Sequence, residues 1–551
     1  MTVAEKAAAT PSSSTPKKSG CLDPLRRLFS SPKSLSSATP RTMIGVSAPT
    51  SASNGTASKL AAAHAAPGKV LTVDTINPHV RTAEYAVRGE LAIRSEALRK
   101  KLQTDPDSLP FSQVISCNIG NPQQLGQPPI TFLRQVTALL EYQALLDPAN
   151  RDLVQNLFPE DAIARAEKLH KAIPALGAYS HSMGIPAIRE SVAKFIEKRD
   201  GFPANPEHIF LTAGASPGVQ TVLQTIIAND HVGILIPIPQ YPLYTAAIAL
   251  NNGRAVPYYL NETGAWTLRS AEVRRAVREA REQGTDVRAL CVINPGNPTG
   301  NVLSKSDMEA IVSLCYEEKL VLLADEVYQT NVYYPADQPW HSFKHVLRSM
   351  PIEVANSVEL ISFHSISKGM IGECGRRGGY YECVNLDSGV LAQLYKLASI
   401  SLCPNVQGQL AVELMVNPPQ PGDASYDLYH GEMTGLFESL QRRAQKLGAA
   451  LATLEGVECN RADGAMYLFP QITLSRAAVA AAEAAGKAPD AFYCLALLDA
   501  TGVCVIPGSG FLQNPGTWHF RTTFLPPENQ LDDFIERIGA FHQQFMDKYR
   551  D

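Results

Sequence analysis

The chain has 551 residues, of which 45% are hydrophobic and 19% charged, and its net charge at pH 7 is −4. This composition is that of a globular protein larger than one ordinary domain, and it excludes bulk disorder and collagen-like or coiled-coil arrays. Without a basic excess, nucleic-acid binding is disfavoured. The ten cysteines form no C-x-x-C pair, which disfavours zinc ribbons and thioredoxin-like sites and indicates a reducing compartment.

The first 68 residues differ from the rest of the chain. They are rich in Ser, Ala, Thr and Pro, their basic residues outnumber the acidic ones, and the stretch LRRLFSS can form a short basic amphipathic turn. Such a composition predicts an organelle transit peptide, and the missing apolar core argues against a secretion signal. The Arg-Arg-Leu-Phe element favours a mitochondrial address over a plastid one. The alternative is an unstructured tail without an address, in a cytoplasmic protein.

The longest apolar run, residues 232–250, is nearly long enough to span a bilayer. Pro237, Pro239 and Pro242 interrupt it, and three prolines so close together prevent a continuous helix. We therefore expect a buried strand, a loop and the start of a helix, and no membrane segment.

From about residue 70 onward, short apolar runs alternate with amphipathic stretches. The amphipathic stretches include residues 268–284 and 306–319, and the apolar runs cover residues 208–214, 231–237, 287–295, 319–326 and 358–365. This alternation predicts an α/β fold with a mostly parallel sheet covered on both faces, and polar residues cluster just after the strands, at the edge where such sheets bind ligands. A long helical region after residue 404 and short strands in AMYLFP and HFRTTFLP predict a second lobe.

The most distinctive chemical signal is HSISKGMIGECGRRGGY, residues 364–380. Lys368 follows a predicted strand, with the hydroxyls of Ser365 and Ser367 beside it and the guanidinium groups of Arg376 and Arg377 close behind. An amine, hydroxyls and a guanidinium in one loop suit an aldehyde that carries a phosphate. The alternative is an exposed glycine-rich loop with solvated charges.

Three other segments support a ligand site at this edge. LLADEVYQ places Asp325 and Tyr328 at the end of an apolar strand, where a carboxylate is costly unless it meets a cation such as a pyridinium. VINPGNPTG places Asn297 in a turn, where its amide can meet a phenolate. TAGASPGVQ brings Ala215 and Ser216 to a helix N-terminus, which suits a phosphate. Each segment alone could be an ordinary turn or helix cap.

These motifs, in this order, resemble the fold-type-I pyridoxal-phosphate-dependent aminotransferases. The phrases INPHVRTAEYAVRGEL, NIGNPQQLGQPPITFLRQV and GAYSHSMGIPAIRESVAKFIEKRDG narrow the resemblance to the alanine aminotransferase branch, plant and algal members included. The resemblance covers residues 70–551. It implies a large domain with a mostly parallel, seven-stranded type of sheet and a smaller α+β domain. We expect an N-terminal extension at 1–68, an arm and part of the small domain at 69–145, the large domain at 146–403 and the small domain at 404–551.

The resemblance also implies a role for each site residue. Lys368 would bind pyridoxal phosphate covalently and move the proton, with Asp325 and Tyr328 as the other catalytic residues. Arg521 would bind the substrate α-carboxylate, helped by Asn297 and the backbone of Gly120. Arg376 is expected to be a surface or supporting charge. The predicted cofactor-binding residues are Ala215, Ser216, Tyr241, Asn297, Asp325, Tyr328, Ser365, Lys368, Arg377 and, from the neighbouring subunit of a homodimer, Tyr179.

The implied reaction moves an amino group between alanine and 2-oxoglutarate, giving pyruvate and glutamate by a ping-pong route, so the partners are small amino and 2-oxo acids. Glutamate:glyoxylate aminotransferase is the nearest alternative, and the missing peroxisomal C-terminal tripeptide argues mildly against it. A non-transaminating pyridoxal-phosphate enzyme of the same fold and an inactive relative that binds other proteins are weaker alternatives. No metal site is expected.

Overall fold

The computed structural model describes residues 69–85 and 89–551. The predicted transit peptide lies outside these residues. Residues Leu71–Asp551 form one compact unit. Over the described part of the chain, no helix combines the length and the apolar character that a bilayer crossing requires.

Many of the strands are short, and the longer ones belong to one sheet. In chain order the strands are β1 Ile115–Ser116, β2 Ile209–Thr212, β3 Val232–Ile238, β4 Arg254–Tyr259, β5 Asp286–Ile293, β6 Val321–Asp325, β7 Leu360–Ser365, β8 Gly379–Val384, β9 Val457–Glu458, β10 Tyr467–Leu468, β11 Gln471–Ile472, β12 Val503–Cys504, β13 Ile506–Pro507 and β14 Phe520–Thr523.

The helices range from one turn to seven. In chain order they are α1 Pro78–Thr82, α2 Glu90–Thr104, α3 Thr131–Glu141, α4 Arg151–Gln155, α5 Glu160–Ala172, α6 Pro186–Asp200, α7 Ala215–Ile226, α8 Leu243–Leu250, α9 Ser270–Glu282, α10 Lys305–Glu318, α11 Phe343–Ser349, α12 Ile352–Ser357, α13 Ser388–Ile400, α14 Val406–Val416, α15 Tyr426–Leu451, α16 Arg476–Ala484, α17 Pro489–Thr501 and α18 Glu528–Lys548.

The central sheet has seven strands in the order β2-β8-β7-β6-β5-β3-β4. Strand β8 runs antiparallel to both neighbours, and the other pairs are parallel. The α/β fold with a mostly parallel sheet is therefore confirmed, and the five strands predicted in the apolar runs all form. The run at 232–250 also divides as expected, into strand β3 and helix α8.

Two sheet strands were not predicted, and the sequence shows why. Strand β4 lies at the sheet edge, where its residues alternate between exposed and buried and Pro257 interrupts the apolar pattern. Strand β8 contains the buried carboxylate of Glu382, which pairs with Lys344 at 2.6 Å. The charge of Glu382 interrupts the apolar pattern of β8. The cation that pairs with it lies in α11, 38 positions away, so the local sequence did not indicate a buried strand.

The sheet is covered on both faces because consecutive strand residues point to opposite sides. In β3, Ile234 packs in the core that includes Val219 of α7 and Tyr244 of α8, whereas Leu235 packs in the core that includes Val273 of α9. Because β3 to β7 pair in parallel, their polar carboxyl ends lie at one edge of the sheet.

A separate core forms around the C-terminal helices. It joins residues of α15, α17 and α18 to Leu91 and Leu98 of α2, and β1 pairs in parallel with β12. The predicted short strands appear as β10 and β14, which lie in a three-stranded sheet with β13. The domain boundaries at 145/146 and 403/404 remain predictions.

Candidate active site

A cavity of about 460 Å³ lies at the carboxyl edge of the sheet. Loops that follow strands β2, β5, β6 and β7 form one side, and residues 119–121, Tyr467 and Arg521 form the other. The predicted site residues that line the cavity are Gly120, Ala215, Ser216, Tyr241, Asn297, Asp325, Tyr328, Ser365, Lys368, Arg377 and Arg521. The structure therefore brings together every predicted site residue except Tyr179.

Lys368 is held in the cavity by backbone groups. Its Nζ donates to the carbonyl oxygen of Gly120 at 2.8 Å and lies 5.8 Å from the centre of the Tyr328 ring. The next residue, Gly369, has a positive φ of 68° and donates its N–H to Asn331 Oδ1 at 2.9 Å. A neutral carbonyl is thus the only hydrogen-bond partner of this amine among the described residues.

Asp325 is the last residue of β6 and is buried at the cavity floor. Its Oδ2 accepts a hydrogen bond from the Tyr244 hydroxyl at 2.9 Å, whereas Oδ1 is buried with no partner in hydrogen-bonding geometry. Burial raises the pKa of Asp325 to about 6, although the Tyr244 hydroxyl opposes this effect. A cation placed against Oδ1 would stabilise the ionised carboxylate.

The N-terminus of α7 and Arg377 form an anion-binding corner. A Cβ on Gly214, the residue before α7, would lie 2.4 Å from Arg377 Nη2, so the guanidinium packs directly against the start of the helix. Arg377 Nη1 also donates to the Cys374 carbonyl at 2.9 Å. Free backbone N–H groups, the helix dipole and a guanidinium together favour an anion such as a phosphate.

Two glycines fix the backbone of Arg377. This residue has a φ of +54°, and a Cβ on Gly408 of α14 would lie 2.1 Å from its carbonyl oxygen. A Cβ on Gly378 would in turn lie 2.3 Å from the Gly408 carbonyl oxygen. The close approach of α14 to this loop therefore requires glycine at both positions.

Arg521 is a buried cation with 2% of its surface exposed. Its Nη1 donates to Asn297 Oδ1 at 2.9 Å, its Nη2 donates to the Asn118 carbonyl at 2.5 Å, and Nε has no partner. Its Cζ lies 4.2 Å from the Tyr467 ring centre and 4.5 Å from that of Phe511. No acidic side chain pairs with it in the described part of the chain, so it is suited to a ligand carboxylate.

Several residues that line the cavity or hold its side chains were not predicted from the sequence. Tyr85 donates to or accepts from the Tyr241 hydroxyl at 2.9 Å, and Tyr467 is paired in the same way with Tyr328 at 3.0 Å. Tyr244, which holds Asp325, also escaped notice. Tyr85 lies in a phrase that carried the resemblance, Tyr244 in the apolar run 232–250 and Tyr467 in a predicted strand, but no local pattern separates them from core aromatics.

Tyr179 does not line the cavity of its own chain, and 79% of its surface is exposed. The Ser180 N–H donates to Cys403 Sγ at 3.4 Å, and exposed apolar side chains of α13 and the residues just after it include Tyr395, Ile400 and Leu402. His181 stacks on Tyr395 with ring centres 5.6 Å apart. The proposed action of Tyr179 on a partner subunit remains a prediction.

A second charged group is buried on the other side of β6. Glu326 accepts a backbone N–H of α11 at 2.7 Å, Arg199 pairs with Asp200 at 2.6 Å, and Lys344 pairs with Glu382. Burial raises the pKa of Glu326 to about 8, and the nearby Arg199 charge opposes the increase. We call these five residues, Arg199, Asp200, Glu326, Lys344 and Glu382, the rear cluster.

Arg376 pairs with Glu373 at 3.2 Å and does not line the cavity.

Comparison with known protein families identifies the class of protein to which this sheet and cavity belong. The model of the family described as aminotransferase class I and II matches residues 149–538. The chain belongs to this family and is an aminotransferase, as predicted.

Particular relatives narrow the comparison. Alanine aminotransferase 1, mitochondrial, from Arabidopsis thaliana is 54% identical over 483 residues, which are 87% of this chain and 88% of the relative. Glutamate–glyoxylate aminotransferase 1 from the same organism is 49% identical over 482 residues, covering 87% of this chain and 98% of the relative. The solved structure of an alanine aminotransferase from Pyrococcus furiosus has a TM-score of 0.67 at 22% identity and covers 85% of this chain and 100% of that one. This last similarity concerns the fold.

Proposed function

We propose that this aminotransferase uses pyridoxal phosphate to convert L-alanine and 2-oxoglutarate into pyruvate and L-glutamate, in two half-reactions. The observation that carries the proposal is a single cavity that holds an amine, a buried carboxylate with one oxygen unpartnered, and a buried arginine that pairs with no acidic side chain of the described residues. The family and the relatives named as alanine aminotransferases support it.

The residues present fit this cofactor. The corner formed by Ala215, Ser216 and Arg377 suits its phosphate, and Lys368 suits its aldehyde. The unpartnered Oδ1 of Asp325 suits a protonated ring nitrogen. Ser365 would supply a hydroxyl for the phosphate, and Tyr241 would supply an aromatic face for the ring. Tyr328 and Asn297 would donate to the phenolic oxygen.

When bound, pyridoxal phosphate supplies an electron sink that stabilises the charge left when an amino acid loses its α-proton. Asp325 would keep that sink effective, because its carboxylate would stabilise a protonated ring nitrogen. Lys368 would remove the proton from the substrate Cα and hold it for return, because its amine is the base at that end of the cavity.

Arg521 orients the substrate. Its two-pronged guanidinium is held between the Tyr467 and Phe511 rings and is anchored by Asn297 and the Asn118 carbonyl. A fixed guanidinium binds a planar α-carboxylate through two parallel hydrogen bonds. The carbonyl of Gly120, which accepts from Lys368, keeps the amine on the same side of the cavity.

The second candidate is transfer from glutamate to glyoxylate, because a relative with that name is 49% identical. Stopped-flow absorbance of the purified, cofactor-loaded protein with single amino acids separates the two functions. We expect alanine and glutamate to change the spectrum rapidly, and pyruvate to restore it faster than glyoxylate. Faster restoration by glyoxylate would support the second candidate, and no change with any amino acid would reject both.

We also propose a homodimer in which Tyr179 contacts the phosphate site of the partner, and a mitochondrial location. The exposure of Tyr179 and of the apolar residues of α13 supports the first, and the names of several relatives support the second. A mixed dimer of Lys368→Ala and Tyr179→Phe subunits should regain one complete site if Tyr179 acts on the partner. A fusion lacking residues 1–68 should remain in the cytosol.

A further inference from the structure

Tyr467 lines the cavity and contacts two of the predicted site residues, Tyr328 and Arg521. It lies in β10 with 2% of its surface exposed, and its hydroxyl is 3.0 Å from the Tyr328 hydroxyl. Its ring lies under the guanidinium of Arg521, 4.2 Å from Cζ. One side chain therefore touches both the proposed cofactor donor and the proposed substrate-binding residue.

The Tyr467 hydroxyl also packs against the backbone at Gly120, whose other neighbour is Lys368 Nζ. A Cβ built on Gly120 would lie 2.3 Å from the Tyr467 hydroxyl oxygen and 3.1 Å from Lys368 Nζ. The hydroxyl therefore lies between the backbone at Gly120 and the Tyr328 hydroxyl. Any side chain at position 120 would collide with it, which explains the glycine there.

The direction of the hydrogen bond between Tyr467 and Tyr328 depends on which hydroxyl proton is available. Each hydroxyl has one proton, so Tyr328 can donate into the cavity only if Tyr467 donates to Tyr328. Burial alone would raise the pKa of Tyr467, but the positive charges of Lys368 and Arg521 lower it. Burial raises the pKa of Tyr328 well above its usual range. On distance alone either hydroxyl could be the donor, and the positive charges of Lys368 and Arg521 beside Tyr467 favour donation from Tyr467.

We propose that Tyr467 is a positioning residue whose hydroxyl donates to Tyr328 and directs the proton of Tyr328 toward the phenolic oxygen of pyridoxal phosphate. This inference rests on the proposed function for its cofactor. The ring of Tyr467 has a second role, because it supports Arg521 whether or not the hydroxyl is present.

The test is a pH titration of the visible absorbance of the bound cofactor. Donation from Tyr328 stabilises the deprotonated phenolic oxygen, so a weaker donor raises the midpoint of the transition. We expect Tyr467→Phe to raise the midpoint by about 0.5 pH unit, and Tyr328→Phe by roughly twice as much. The double variant should match Tyr328→Phe alone, because Tyr467 acts through Tyr328.

Tyr493→Phe is the matched control. Tyr493 is buried in the same C-terminal core and its hydroxyl pairs with His542 at 3.0 Å, but it does not line the cavity. We expect this variant to leave the midpoint unchanged. In steady-state kinetics, Tyr467→Phe should lower kcat with an unchanged KM for alanine, whereas Tyr467→Leu, which also lacks the ring, should raise that KM.

The possible outcomes distinguish a failure of this inference from a failure of the proposed function. A wild-type protein that does not bind pyridoxal phosphate would overturn the proposed function and the inference with it. A wild-type protein that binds it, with no midpoint shift in Tyr467→Phe or with additive shifts in the double variant, would overturn the inference alone. So would a Tyr467→Phe chain that fails to fold while Tyr493→Phe folds, because Tyr467 would then be a core residue.

Discussion

Asp325 and Glu326 are neighbours in sequence, yet Asp325 lines the cavity and Glu326 does not. Both carboxylates are buried, and burial raises the pKa of both, to about 6 for Asp325 and about 8 for Glu326. Asp325 faces the cavity with one oxygen unpaired, whereas Glu326 lies in the rear cluster with Arg199 nearby. The difference shows that burial and charge alone do not mark a functional carboxylate. What separates the two is whether the unmet oxygen faces a space that a ligand can enter.

The largest effect on the cavity side should come from Lys368→Ala. The variant lacks both the covalent attachment and the base, so we expect the transamination rate to fall about 10⁴-fold or more. Borohydride reduction of the wild-type protein, followed by peptide mapping, should place the cofactor on Lys368. A reduced adduct on another lysine would contradict the assignment.

Asp325→Ala should lower the rate by about 10³-fold while the protein still retains much of its cofactor, because the phosphate contacts remain. Glu326→Gln is the matched control, since it changes the adjacent carboxylate and keeps the shape of the side chain. We expect the control to keep its rate within about tenfold of wild type, a barrier change of about 1.4 kcal/mol or less. Equal losses in the two variants would remove the distinction drawn above.

Arg521→Lys should raise KM about 10- to 100-fold for both alanine and 2-oxoglutarate, because a single ammonium replaces a two-pronged guanidinium. Steady-state kinetics with each substrate varied in turn will measure this. A rise confined to one substrate would show that Arg521 contacts the side chain that differs between substrates, and the α-carboxylate role would be wrong.

The smallest effect concerns stability in the rear cluster. The pKa of Glu326 is higher in the folded protein than its usual value of 4.5, so folding takes up a proton between about pH 4.5 and 8. The stability that Glu326 contributes is therefore present below about pH 4.5 and is lost as the pH rises through 8. Glu326→Gln removes this dependence.

Denaturant unfolding at pH 6 and pH 9 will measure the effect. Relative to wild type, Glu326→Gln should be more stable at pH 9 than at pH 6, by on the order of 2 kcal/mol. Asp325→Asn provides the comparison, because the lower pKa of Asp325 should move its own dependence to a more acidic range. An unchanged difference between the two pH values would mean that Glu326 is ionised throughout.

The sequence was most informative where a functional residue lies within a few positions of a strand end. Lys368, Asp325 and Asn297 could be located in this way, and the family resemblance added Arg521 and Tyr179. Tyr467 and the rear cluster could not be predicted, because their roles depend on contacts between distant segments. Tyr467 meets Tyr328 across 139 positions, and Lys344 meets Glu382 across 38. A buried charge in one segment says nothing about the partner in another.

The contact between Gly408 and Arg377 has a consequence for natural variation. Gly408 is the third residue of α14, and inside a helix alanine is usually more stabilising than glycine by roughly 1 kcal/mol. Here a methyl group would meet the Arg377 carbonyl, so the usual preference is reversed. A saturation library should show position 408 to be as intolerant as the cavity residues, although its side chain touches no ligand. Surviving substitutions there would carry second changes in the loop that it supports.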